Sequence, residues 1–147
     1  MAAKGALGRF AIDFISVKQE DGSWKHYAIE INLRKGGTTH PFLMLQFLTD
    51  GKYHADTGQY LTASGNKRFY FASDNVSHEK YKGLTPQDLM DIAMFHELMY
   101  NGAAQQGVMF HLVGALSEHG KLGLVCIGDT PEKAKEYYDK NDPDTGS

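Results

Sequence analysis

One cysteine, Cys126, stands in 147 residues. That excludes an internal disulfide and a cysteine-ligated metal cluster. Cys126 lies in the apolar run LGLVCIG, the setting of a buried structural thiol. An excess of one charge is also lacking. Lys and Arg number 15 against 18 Asp and Glu, so the net charge is only −3. No basic field argues for nucleic acid, and no acidic tail for a charged partner. No apolar run is long enough to cross a bilayer, so no membrane role is expected. The opening residues MAAKGALGRF hold no apolar core of signal-peptide length, and a cytoplasmic location is the default. There is no repeat, no low-complexity tract, no clear linker and no G-x-x-x-x-G-K-[ST] phosphate loop.

What remains is an ordinary globular composition and enough chain for one domain with a real core. GRFAIDFISVKQ and SWKHYAIEINLR read as strands joined across Asp21-Gly22, a hairpin turn signal. HPFLMLQFL reads as a short helix with Pro41 in its first turn and Asp50-Gly51 closing it. GKYHADTG reads as a polar loop. GQYLTASGNKRFYFAS reads as a second hairpin turning near Gly65-Asn66. Thr85 and Pro86 are the N-cap and first residue of a helix running to about Tyr100, with Leu89, Ile92, Ala93 and His96 on one face. VMFHLVGALSEHGKLGLVCIG reads as a third hairpin turning near His119-Gly120. Thr130 and Pro131 open a last helix, EKAKEYYDK, and NDPDTGS is expected to fray. Hairpins mixed with helices predict an α+β fold with mainly antiparallel sheet.

The first hairpin concentrates polar residues on one face. With Asp21 and Gly22 at the turn, Asp13 lies opposite Glu30, Ala11 opposite Asn32 and Arg9 opposite Arg34. Phe10–Leu33, Ile12–Ile31 and Phe14–Ile29 fill the other face, which must pack on a core. Two carboxylates directly opposite repel unless a positive charge lies between them. With an amide oxygen they form a hard donor set suited to Mg²⁺. The flanking arginines suit phosphate oxygens. A solvated sheet face with cross-strand ion pairs is the alternative. Lys35-Gly36-Gly37-Thr38-Thr39 then runs into the helix near Pro41. Glycines admit a ligand close to the backbone, and a helix N-terminus offers N–H groups to an anion. Metal ligands beside an anion cradle suit phosphoryl transfer.

GRFAIDF followed by EINLRKGGTTHPF resembles the C-terminal end of an ATP-grasp catalytic domain: an acidic residue on one strand, Glu-x-Asn on the next, then a glycine-bearing loop. With GVMFHLVGALSEHGKLGLVCIGDTPEKA, the resemblance extends to ATP-grasp peptide ligases of the pheganomycin-synthesis type, from about Gly8 to about Tyr138. It implies an ATP-dependent, ADP-forming carboxylate–amine ligase working through an acyl phosphate on small-molecule or peptide substrates. Asp13 and Glu30 would bind one Mg²⁺, and Glu30 with Asn32 a second. Arg34, with Arg9, would neutralise the transferring phosphate. Gly36, Gly37, Thr38 and Thr39 would contact the substrate carboxylate or acyl phosphate, with His40 beside them at the helix start. The implied organisation is a catalytic-domain segment over 8–57, a ligase-type C-terminal domain packed with it over 58–140, and a tail over 141–147. The nucleotide-clamping part is missing from this chain. It is therefore expected to be a C-terminal piece, inactive alone, with exposed apolar surface that could drive a homodimer. The rival reading is a non-catalytic binding or assembly module that kept the fold.

Other motifs are set aside. FHELMY lacks the second histidine of H-E-x-x-H, Tyr100 standing in its place. His111 in VMFHLVG is expected to be a hydrogen-bonded core histidine. His54 and Asp56 form a lone pair in a loop. Ser117 beside His119 is a polar turn without a nucleophile elbow. RFYFAS is two faces of one strand rather than a base-stacking platform.

Overall fold

A computed structural model describes Gly5 and residues 8–141. The chain divides after His40 into two compact units, residues 1–40 and 41–147. The α+β class with antiparallel sheets is borne out.

The first unit is a hairpin of β1 (Ala11–Lys18) and β2 (Trp24–Asn32). Its register carries two departures that cancel. The turn holds three residues rather than two. Gly22 N–H donates to Gln19 O, Gln19 N–H donates to Ser23 O, and Gly22 adopts φ +83°. That is the glycine-bulge turn, in which a left-handed residue follows a type I turn. The Ser23 hydroxyl and N–H both donate to Asp21, holding its carboxyl below the usual range. Partners near the turn are therefore Lys18–Trp24 to Phe14–Ala28. A bulge at Ile29 then restores Asp13–Glu30, Ile12–Ile31 and Ala11–Asn32. Phe14 meets Ala28, not Ile29 as expected. The ladder starts at Ala11 and ends at Asn32, so the expected Phe10–Leu33 and Arg9–Arg34 pairs fall outside it. The apolar face is not packed: Phe14 is 57%, Ile31 52% and Leu33 67% exposed.

The second unit is built on a three-stranded sheet. α1 (Thr39–Thr49) enters it from the first unit, followed by β3 (Lys52–His54), β4 (Gln59–Leu61) and β5 (Phe69–Ser77). Then come α2 (Pro86–Phe95), β6 (Gly107–His111), a short α3 (Leu116–His119), β7 (Lys121–Gly128) and α4 (Pro131–Asp139). The sheet order is β5-β7-β6, all antiparallel. β7 sits in the centre. Its Val125 and Ile127 pack with Leu45 of α1 and Tyr60. Its Leu122, Leu124 and Cys126 pack with Leu89 and Ala93 of α2, with Tyr137 and Tyr138 of α4 against that cluster. Burial of this kind is worth about 1.5–3 kcal/mol per large side chain.

Several sequence expectations are corrected. GKYHADTG is no plain loop, because its first residues form β3 and pair with β4. The second hairpin is short: around the turn at Gly65, Thr62 N–H donates to Asn66 O, Arg68 N–H donates to Tyr60 O and Leu61 bridges Lys67, but from Phe69 onward the chain forms β5 and pairs with β7. The long-range pairing wins because β7 offers both edges and a buried face. α2 stops at Phe95, not near Tyr100, because Glu97 takes φ +54°. Its start is as read, with Thr85 and Asp88 forming a reciprocal capping box. β6 and β7 pair as expected, but the link passes through α3 rather than a tight turn. Asn141 is tied down, donating to Tyr137 O and accepting from the Tyr81 hydroxyl. Residues 142–147 of the expected tail lie outside the described residues.

Candidate functional site

The hairpin places Asp13 directly opposite Glu30, with Asn32 opposite Ala11 on the same end of the ladder. Asn32 Nδ2 donates to Asp13 Oδ2 across the strands at 3.1 Å, a bond that does not use the amide oxygen. Both carboxylates are exposed, and neither joins an ion pair among the described residues. Among the described residues the like-charge pair is left without a compensating cation. Two carboxylates and an amide oxygen fit a hard divalent cation that keeps several waters. No group of three His, Cys, Asp or Glu among the described residues could hold a metal by itself. The amide and waters would have to complete the shell.

Arg34 is exposed, and its Nη1 donates to Lys35 O at 3.4 Å. Arg9 is exposed beyond the ladder and has its own interactions. The structure thus brings Asp13, Glu30 and Asn32 together, while the arginines sit past the strand ends rather than opposite each other.

The glycine loop closes on itself. Thr39 N–H donates to Gly36 O at 2.9 Å, and Gly36 N–H donates to the Thr39 hydroxyl at 3.1 Å. Thr39 is buried, so this clasp fixes the loop against the start of α1. The amides of Gly36 and Thr39 are both used in this clasp. Around Gly36 and Gly37 a Cβ would meet nothing within 4 Å. Neither glycine is demanded by packing in this chain, so the open space is available to a ligand. His40 is exposed at the first turn of α1 and has interactions of its own.

α1 is anchored at its far end. The Thr49 hydroxyl donates to Leu45 O at 2.6 Å and meets the Tyr60 hydroxyl at 2.9 Å, both groups buried. The Tyr100 hydroxyl donates to Leu48 O at 2.9 Å. The Tyr100 bond satisfies a carbonyl that a helix C-terminus leaves open. Nothing in the local sequence near Tyr100 signals this role, because the bond spans distant residues.

Comparison with known proteins decides the relationship. Residues 88–140 match the PGM1 C-terminal domain family. This part of the chain is similar to that family. It takes in α2, β6, β7 and α4, the elements around the larger core. The chain is also 30% identical over 137 residues to an L-propargylglycine--L-glutamate ligase of Streptantibioticus cattleyicolor. That match covers 93% of this chain but 27% of the ligase. The resemblance to part of a peptide ligase carrying a PGM1 C-terminal domain is therefore borne out. No solved structure matches the chain. No helix among the described residues is long and apolar enough to cross a membrane.

Proposed function

We propose that this chain is the metal- and acyl-phosphate-binding part of an ATP-dependent, ADP-forming carboxylate–amine ligase. The carrying observation is the Asp13–Glu30 pair, opposed across a bulged hairpin with Asn32 bonded to Asp13 and no ion pair to either carboxylate among the described residues. The name of the similar ligase, which joins two amino acids, supports the reaction class. Asp13, Glu30 and Asn32 would hold Mg²⁺, which supplies charge neutralisation to ATP phosphates. Arg34 and Arg9 would hold phosphate oxygens in forked hydrogen bonds. The amides of Gly37 and Thr38, with His40 beside them, would hold the carboxylate or acyl phosphate that the amine attacks. The substrates are small carboxylates and amines, and the chain acts in the cytoplasm as part of a longer enzyme, inactive alone. The segments 8–57 and 58–140 would be the catalytic-domain segment and the ligase-type C-terminal domain.

The rival reading is a non-catalytic module that kept the fold. Mn²⁺ binding followed by electron paramagnetic resonance, with and without ADP, separates the two. The ligase reading expects binding that weakens at least about tenfold in Glu30→Gln, the loss of one charged ligand. Equal binding in the parent and the variant sinks the ligase reading.

A further inference from the structure

The second unit carries an open cavity of about 650 Å³ beside the Lys121 end of β7. Asp74, Asn75, Leu112, Gly114, Ala115 and Lys121 line it. That volume lies in the small-molecule range of about 300–1,000 Å³. Departures from regular structure gather there. The β5 register breaks between Ser73 and Val76, so Asp74 and Asn75 leave the ladder. Leu112 takes φ +54°, a left-handed conformation costly for a non-glycine residue. Just before it, the His111 ring occupies the space that a Cβ on its cross-strand partner Gly123 would need. Bulges and strained residues of this kind concentrate at ligand sites.

The charges set the ligand class. Asp74 is an exposed anion and Lys121 a half-buried cation, lining one cavity. Neither joins an ion pair among the described residues, with each other or with any third group. Opposite charges that share a cavity without neutralising each other fit a ligand bearing both charges in reverse. We propose that this cavity binds a free amino acid as its zwitterion. The α-ammonium lies at Asp74 and the α-carboxylate at Lys121. The Asn75 side chain adds a hydrogen bond, and Leu112 and Ala115 face the ligand's apolar side chain. Its role as the amine-donor site rests on the ligase reading above; the binding itself does not.

The test is a ¹⁵N NMR titration of the whole chain without metal or nucleotide. Three probes are used: L-leucine, L-leucine amide, which keeps only the ammonium, and N-acetyl-L-leucine, which keeps only the carboxylate. L-leucine is expected to shift the amides of Asn75, Gly114 and Ala115, and each single-charge probe to bind about tenfold more weakly. Asp74→Asn and Lys121→Gln should each weaken L-leucine binding by a similar factor. Gly114→Val offers a check that removes no charge. A Cβ there meets nothing within 4 Å and the backbone is not left-handed, so the chain should fold with the cavity obstructed. No shifts up to about 50 mM L-leucine overturn the proposal. So do equal binding by all three probes and unaltered binding by folded variants. Loss of Mn²⁺ binding with leucine binding intact strikes the ligase reading alone, and the reverse strikes only this site.

Discussion

β2 and β7 are both apolar-rich strands, yet eight of nine residues are exposed in β2 while seven of eight are buried in β7. The difference lies in neighbours, not in composition. β7 is flanked by β5 and β6, with α1 packed on one face and α2 and α4 on the other. β2 pairs only with β1. A lone two-stranded hairpin is marginal in water. The candidate metal ligands therefore sit on the element with the least packing, and the buried core lies around β7 in the second unit. Positioning a ligand to a fraction of an ångström needs a supporting shell. The hairpin does not supply that shell by itself.

The comparison breaks most visibly at β7. Leu124 is fully buried in the larger core. Leu124→Ala should cost about 2–5 kcal/mol, read as a lowered urea midpoint of the second unit. A cost under about 1 kcal/mol would mean that β7 is not the structural centre. A second probe on the same strand is pH. Burial pushes the Cys126 thiol up to about 12 from an ordinary 9.0. A raised value means that the unfolded thiol ionises first. The contribution is complete below pH 9 and fades as pH rises toward 12, so the urea midpoint should fall across that window. Cys126→Ala should flatten this decline. A smaller effect is expected at the helix anchor. Thr49→Val removes one partner from the buried Tyr60 hydroxyl while leaving its contact with Leu45 O. The expected cost is about 1–3 kcal/mol by thermal unfolding.

Local chemistry was legible and long-range partnership was not. Thr85 and Thr130 announced helix starts because a capping hydroxyl acts within three residues of itself. The Asp13–Glu30 opposition was legible because alternation of apolar residues fixes which side chains share a face. It survived an unread three-residue turn only because the unread bulge at Ile29 shifted the register back. The choice of β7 over β4 as the partner of β5 depends on burial of both faces, which no short window of sequence contains. The same holds for the Tyr100 bond to α1 and for the meeting of Asp74 with Lys121 around one cavity. The glycine loop was located from its residues, but the Thr39 clasp that spends two of its amides appears only in three dimensions.

The smallest expected effect is the sharpest test of the contrast between the two strands. Ile31 is paired with Ile12 in the hairpin and is 52% exposed. In a buried strand, trimming isoleucine to alanine costs about 2–5 kcal/mol. Here most of the side chain already faces water, so little transfer energy is lost and no cavity forms. Ile31→Ala should therefore move the unfolding midpoint of the second unit by less than about 0.5 kcal/mol. Amides of β1 and β2 should exchange at nearly the rate of an open chain in both proteins, while those of β7 report global unfolding. A loss of 2 kcal/mol or more would show that the apolar hairpin face is covered in solution. Sedimentation of the variant would then decide whether a second copy covers it, because a shared interface makes the loss depend on concentration.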